Sequence, residues 1–298
     1  MAAVRGTTVP YRFSFAFYAR RLIVSAVMIV PLFVQLPAQD DRQADDKYLL
    51  AQILGRSEEY CFRLGNVALD FVCIEEVTER MCNISQRILR SARWFTRMVE
   101  KTDWTRHNLV YDYQYVKKKG RIKEKRLLIK ENGRKSRKEE TRLKTQTFDY
   151  RNVLFGPLNL LDQDRQFFFH FKLLGSELIH GENAFIVQAV PKAGVETGFP
   201  WGKIWVSEKF FTVLKIEWSQ AVMVQTEIIK NRAKRMNAKP LISSCIEFEY
   251  EKNGIRFPSR FLIEEAYLNK RGRTDIMTKL LVIYRDYKFF TVETDIKY

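Results

Sequence analysis

Apolar and polar residues alternate along most of the chain after residue 108. Successive side chains of a strand point to opposite faces, so this alternation predicts strands with one buried face. Turn signals such as Asn253-Gly254 separate the alternating segments. Most segments follow one another without a crossover helix, so we expect them to pair antiparallel. The segments are Leu109–Tyr115, Phe167–Leu173, Ala184–Val190, Ile204–Val206, Leu214–Trp218, Ile242–Tyr250, Phe257–Ile263, Ile276–Tyr284 and Phe289–Ile296.

Three stretches have the spacing of an amphipathic helix. The first follows Asp45 or Asp46, either of which can cap it, and Glu227–Asn237 predicts a second, short helix. The third spans residues 84 to 99. The first helix is expected to bury an apolar face made of Leu49, Ile53, Tyr60 and Leu64, with Leu50, Leu54 and Cys61 beside them. The apolar face of the third helix would consist of Ile84, Ile88, Ala92, Phe95 and Val99.

These elements predict an α+β fold built on one long antiparallel sheet. A sheet of about ten strands curls strongly because strands twist. We therefore expect an incomplete β-barrel with an apolar concave face and a few covering helices. No linker or repeat divides the chain, so residues 39–298 are expected to form a single domain.

The first 38 residues have the pattern of a secretory signal peptide. Four arginines precede an apolar run from Leu22 to Leu36, and Pro37-Ala38 follows. The alternative is an N-terminal membrane anchor. The run has about 15 residues, whereas a spanning helix needs about 20. The pattern favours a signal peptide ending at Ala38 and a soluble, exported, periplasmic protein.

The net charge of +16 lies mainly in one stretch. Residues Lys117 to Lys144 contain 14 basic and 4 acidic residues. Turn signals at Lys117–Gly120 and Asn132-Gly133 predict an extended hairpin there. Its lysines could be a solvated edge, since charged edge strands resist aggregation, or a contact for anionic lipid or an envelope protein. Export disfavours nucleic acid. The candidate contact residues are Lys117, Lys118, Lys119, Lys135 and Lys138.

Four cysteines are too few for a disulfide-built scaffold. In an oxidising compartment they could pair, in one of three connectivities, or stay free as buried thiols. Their spacing contains no CxxC, which disfavours a zinc site, and we expect neither metal nor cofactor. The four are Cys61, Cys73, Cys82 and Cys245.

Catalytic patterns are scarce. The sequence contains no phosphate-binding glycine loop, GxSxG or HExxH motif. The pairs Glu75-Glu76 and Glu264-Glu265 are adjacent in predicted strands, so their side chains point to opposite faces. His170, within an aromatic strand, is expected to be a partly buried structural imidazole. We therefore expect a non-enzymatic protein.

An apolar loop, Val153–Leu161, interrupts the strand pattern and contains Gly156-Pro157. Nine mostly apolar residues in a loop are not expected to face water. The loop can plug the core between strands, or it can be a movable flap over an apolar cavity. Both possibilities place it against the concave face.

Three consecutive segments resemble a known superfamily: Ala184–Lys192, Gly202–Glu208 and Phe211–Glu217. Their order is similar to that of the LolA/LolB-like periplasmic proteins of outer-membrane lipoprotein sorting. The resemblance implies an incomplete barrel that holds acyl chains, and a carrier or sensor that binds a lipid or acylated protein. The alternative is an envelope interaction module with a filled core. The expected groove and flap residues are Phe155, Leu158, Leu160, Leu161, Phe169, Phe171, Trp205 and Trp218.

Overall fold

The computed structural model describes residues 38–66, 70–91, 95–118, 121–139, 141–145, 148, 153–195, 200–223 and 226–290. The helices are α1 (Ala38–Asn66), α2 (Leu158–Leu161), α3 (Gln163–Gln166), α4 (Gln220–Met223) and α5 (Glu227–Met236), and a 3-10 turn spans Val153–Phe155. Apart from Ala38, the predicted signal peptide lies outside these residues.

The strands follow the chain from β1 to β13. They are β1 (Asp70–Ser91), β2 (Phe95–Lys118), β3 (Arg121–Glu131), β4 (Arg134–Glu139), β5 (Phe169–Ile179), β6 (Glu182–Pro191), β7 (Gly202–Ser207), β8 (Val213–Trp218), β9 (Ala238–Glu247), β10 (Tyr250–Lys252), β11 (Ile255–Phe257), β12 (Arg260–Asn269) and β13 (Thr274–Phe290).

Eleven strands form one sheet, in the order β4-β3-β2-β1-β13-β12-β9-β8-β7-β6-β5. Every ladder is antiparallel, and β10 and β11 form a separate two-stranded ribbon. Within the described residues no ladder joins the edge strands β4 and β5. The predicted α+β incomplete barrel is therefore confirmed.

The sheet has a buried and an open face because the side chains alternate as predicted. In β2, Leu109, Tyr111, Tyr113 and Tyr115 are buried, while the residues between them are half-buried. Most buried apolar positions of the sheet form one hydrophobic cluster with those of α1 and of the segment 153–161. We call the sheet face that contributes to this cluster the concave face and the opposite one the convex face.

The helix predicted over residues 84–99 is wrong. This segment contains the end of β1 and the start of β2, which pair continuously from Phe71↔Tyr115 to Ser91↔Phe95. Apolar residues four apart lie on one face of a helix, but four is also a multiple of the two-residue period of a strand. The spacing therefore fits both structures, and pairing along the β1–β2 hairpin selects the strand.

Helix α1 begins at Ala38, so the predicted caps at Asp45 or Asp46 are wrong, because both lie within the helix. Its predicted buried stripe is confirmed at four apolar positions, Ile53, Tyr60, Cys61 and Leu64. Ser57 is buried on the same stripe. The short helix expected at Glu227–Asn237 is also confirmed as α5, which ends at Asn237 in a left-handed cap. The described helices include none with the length and apolar character needed to cross a bilayer.

Candidate functional site: an apolar concave face and its cover

A short non-strand segment covers the concave face. This segment, residues 153–161, comprises the 3-10 turn and α2, and we call it the cover. Val153 and Leu154 are buried, and Leu160 and Leu161 have no exposed surface. Phe155 and Leu158 pack against the same hydrophobic cluster while remaining half-buried. The apolar loop therefore lies against the concave face, as both possibilities require.

The cover lies directly on β8. A side chain at Gly156 would begin 3.3 Å from both Ile216 Cδ1 and Trp218 Cζ2, so only glycine fits here without displacing a neighbour. The ring of Phe155 lies 5.5 Å from that of Tyr115 on β2. On the concave face, the cover thus contacts strands from both halves of the sheet, β2 and β8.

The backbone of the cover is not part of the sheet. Its described backbone hydrogen bonds are internal, as from Gly156 N to Val153 O and from Leu161 N to Pro157 O. Gln166 in α3 donates to the carbonyl of Leu161 at 2.8 Å and to that of Leu54 in α1 at 3.3 Å. Side-chain burial therefore provides most of the described attachment of the cover, and none of the described strand ladders includes it.

Seven of the eight residues that the sequence assigns to the groove and flap meet in this one cluster. Trp218 and Phe169 contribute buried rings, and Phe171 packs beside Phe169 with ring centroids 6.1 Å apart. Their role in ligand binding stays a prediction. The seven are Phe155, Leu158, Leu160, Leu161, Phe169, Phe171 and Trp218.

Trp205 lies on the other side of the sheet. It belongs to a small second cluster with Ala184 and Leu214 on the convex face. Its indole Nε1 donates to Glu177 at 2.8 Å, and Lys215 Nζ lies 4.2 Å from the ring centroid. Its neighbours in sequence, Ile204 and Val206, point to the concave face, so alternation already separates Trp205 from the groove residues.

Buried charged groups on the concave side of the sheet were not predicted. Arg126 Nε and Nη2 donate to the two oxygens of Glu75 at 2.7 and 3.1 Å, and both side chains are buried. Burial raises the pKa of Glu75, and the facing Arg126 opposes this shift. Glu265 accepts from Arg232 of α5 at 2.6 Å and from the Tyr267 hydroxyl at 2.6 Å. These buried carboxylates are therefore committed to structural ion pairs.

A third buried carboxylate anchors the chain that leads to the cover. Glu79 is fully buried and lies 2.8 Å from His107 Nδ1, while His107 Nε2 lies 2.9 Å from Glu131. Glu79 also accepts from the backbone N–H of Lys144 at 3.2 Å and of Thr145 at 3.1 Å. The segment that follows β4 is thus fixed to β1 ahead of the cover.

Three side chains near the β5–β6 turn have the donor types of a cation site. His180, Glu247 and Glu249 place one ligand atom each within 4.8 Å of one another. His180 Nε2 lies 3.4 Å from Glu249 Oε1, and Arg260 Nη1 lies 3.5 Å from Glu247 Oε1. The arginine already neutralises part of the negative charge that would attract a cation.

His170 is exposed, so the prediction of a partly buried imidazole is wrong.

The cysteines are free thiols in the structure. Cys61 in α1 and Cys73 in β1 are buried, and burial raises the pKa of both thiols. Cys82 and Cys245 are half-buried, and burial raises the pKa of Cys245 to about 11. Of the two possibilities left open by the sequence, the structure contains free thiols.

Three solved structures of bacterial proteins are similar to this chain at low sequence identity. An outer membrane lipoprotein-sorting protein domain from Vibrio parahaemolyticus matches with a TM-score of 0.34 and 10% identity, over 81% of this chain and 94% of that one. A DUF1329 family protein from Desulfovibrio piger matches with a TM-score of 0.32 and 10% identity, over 81% of this chain and 95% of that one. A LolA superfamily protein from Nitrosomonas europaea matches with a TM-score of 0.30 and 13% identity, over 83% of this chain and 96% of that one.

These likenesses assign neither a family nor a role to this chain. No protein-family model matches the sequence, and no curated protein is similar to it. The chemistry available to the site therefore follows from its own residues.

Proposed function

We propose that the protein is an exported, non-enzymatic carrier or sensor that binds an acyl chain of a lipid or acylated protein on its concave face. The observation that supports this most is the attachment of the cover, which is packed on the sheet without being hydrogen-bonded into it. An acyl chain that enters takes the place of the cover, and the eleven-stranded sheet stays intact.

The free energies of this exchange are similar in size. Fully burying an aliphatic side chain contributes about 1.5–3 kcal/mol, so the four buried aliphatic side chains of the cover contribute about 6–12 kcal/mol. Transfer of roughly 15 methylenes from water contributes about 12 kcal/mol, against an association cost of about 4–15 kcal/mol. The cost of displacing the cover therefore offsets most of the gain from burying one chain, so binding of a single chain is weak and readily reversible.

Two buried hydroxyls support a ligand with a polar end. Ser57 on the inner stripe of α1 and Ser244 on β9 are almost fully buried, and neither side-chain oxygen has a hydrogen-bond partner. A buried hydroxyl without a partner costs about 1–3 kcal/mol. An ester or headgroup oxygen in the concave face would supply the missing partner.

Uptake of a fluorescent fatty acid by the delipidated, refolded protein tests the proposal. Leu160→Ala removes part of the attachment of the cover and should increase the affinity about tenfold or more, since a buried Leu→Ala change costs about 2–5 kcal/mol. Leu214→Ala is the matched control, because Leu214 is equally buried but lies in the convex cluster. It should lower stability and leave uptake unchanged.

The filled concave face favours one other function, an envelope protein-interaction module with a solid core. In that case the refolded wild-type protein takes up no fatty acid or lipopeptide, and Leu160→Ala behaves like Leu214→Ala. Native mass spectrometry of the protein isolated from its own envelope provides an independent measurement, because a bound lipid adds its mass to the chain.

A further inference from the structure

The ribbon formed by β3 and β4, residues 121–139, presents all but one of its described basic side chains to solvent, the exception being the buried Arg126; we call it the basic ribbon. Side chains are described from Glu124 onward. Among these, Glu139 is the one acidic residue classed as exposed. The exposed basic residues are six: Lys125, Lys130, Arg134, Lys135, Arg137 and Lys138.

The other two acidic residues of the ribbon are turned toward buried partners. Glu124 accepts from the Tyr113 hydroxyl at 2.6 Å and lies 3.4 Å from Arg126. Glu131 lies 2.9 Å from His107, which is buried. Glu124 is therefore held by buried partners, and Glu131 offsets only part of the exposed charge, through Lys138.

Two lysines of the ribbon are placed against each other. Lys130 on β3 and Lys135 on β4 are directly paired across the hairpin. Like charges directly opposite one another destabilise a strand pair. The basic ribbon is also the edge of the sheet, since β4 pairs with β3 alone among the described strands. A polyanion beside this edge would relieve the repulsion.

We propose that the basic ribbon docks the protein on a membrane surface that contains anionic lipid headgroups. The exposed charges lie along both strands and on both faces of the ribbon, which suits the diffuse charge of a bilayer better than a partner of fixed shape. The half-buried Leu127 and Ile129 lie between the lysines and add apolar surface at the level of the headgroups. Each basic residue near such a surface contributes about 1 kcal/mol.

Vesicle flotation with the full-length chain tests the proposal. Phosphatidylcholine vesicles are compared with vesicles that contain phosphatidylglycerol as well, and the readout is the ratio of the two affinities. Any binding by the apolar N-terminal run is the same in every variant and cancels in the comparison between them. The triple change Lys130→Gln, Lys135→Gln, Lys138→Gln should reduce the preference for anionic vesicles about 100-fold.

The matched control removes the same charge elsewhere. Lys234, Lys239 and Lys270 line a shallow depression at the end of α5, and changing all three to Gln should leave the preference for anionic vesicles unchanged. Equal loss in both triple variants would overturn the proposal, as would unchanged binding by the ribbon variant. Ribbon-dependent binding to polyglutamate or to single-stranded DNA, without binding to vesicles, would also overturn it in favour of an acidic protein or a nucleic acid.

This proposal is independent of the acyl-binding function. Leu160→Ala should change fatty-acid uptake and leave the vesicle preference as it is, whereas the ribbon variant should do the reverse. Failure of one proposal is therefore distinguishable from failure of the other.

Discussion

Glu75 and Arg126 form a two-point ion pair inside the protein, with N–O distances of 2.7 and 3.1 Å. The next residue, Glu76, pairs with Arg285 on the opposite face of the sheet, where both side chains are partly exposed. Two adjacent glutamates thus have the same kind of partner in two environments. Stability measurements can compare them directly.

Glu75→Gln should lower the free energy of unfolding by about 3 kcal/mol, because the buried Arg126 loses its two-point carboxylate partner and keeps the weaker contact with Glu124 at 3.4 Å. Glu76→Gln should cost less than about 1 kcal/mol, since exposed ion pairs contribute little. Urea unfolding of both variants measures the difference. Equal effects would show that the buried geometry gives Glu75 no special role. The double variant Glu75→Gln, Arg126→Met should be more stable than Glu75→Gln alone, because it removes a buried guanidinium that has lost its two-point partner.

Gly202→Ala should destabilise the protein by about 1–3 kcal/mol, because an added Cβ would clash with the carbonyl oxygen of Glu217 on β8. Strand β7 would have to move away from β8 and from Trp218, which pairs with Gly202. Gly55→Ala in α1 is the control. No atom lies within 4 Å of its added Cβ, and alanine is the better helix former, so this change should stabilise by about 0.5–1 kcal/mol. Thermal unfolding of both variants provides the measurement.

Stability should fall on acidification partly through Glu131. The hydrogen bond with His107 lowers the pKa of Glu131 below its ordinary 4.5. A carboxyl whose folded pKa is depressed stabilises the fold above its unfolded pKa, and this contribution disappears as the pH falls through the folded value. The stability difference between wild type and Glu131→Gln should therefore narrow below about pH 4.5. A constant difference between pH 7 and pH 3 would contradict this assignment.

The thiols should differ in reactivity. Burial raises the pKa of Cys245 to about 11, so about one in a thousand of these thiols is ionised at pH 8. Cys61 and Cys73 are buried, and we expect alkylation of both only after unfolding. Peptide mapping after timed exposure to iodoacetamide should give the order Cys82, then Cys245, then the buried pair. Rapid native labelling of Cys61 would show that α1 separates from the sheet.

The strand pattern and the apolar stripe of α1 could be predicted because each depends on local periodicity. The segment 84–99 could not be assigned, since a four-residue spacing satisfies both a helix and a strand. The ion pair of Glu75 and Arg126 joins positions 51 residues apart. Its geometry depends on the β1–β2–β3 register, which the sequence pattern does not fix.

The candidate site was predictable to the extent that it is apolar. The cover was recognisable as a hydrophobic loop, but its packing against Ile216 and Trp218 depends on the curvature of the sheet. Trp205 was misplaced because an aromatic residue was assigned to the groove by type, although its alternation with Ile204 and Val206 assigns it to the other face. The anchoring role of Glu79 was not visible, because its partners are backbone groups at residues 144 and 145.

The pairing of β1 with β13 affects how the protein folds. Glu76 lies opposite Ile283, so the central ladder of the sheet closes a loop of about 200 residues. Folding rates fall as contact order rises, because the entropy of closing such loops is lost before the contact forms. The β1–β2 hairpin can form early and locally, but the edge of β1 that faces away from β2 stays unpaired until β13 pairs with it. We therefore expect slow refolding, with an unpaired β1 edge in any intermediate that forms before the central ladder.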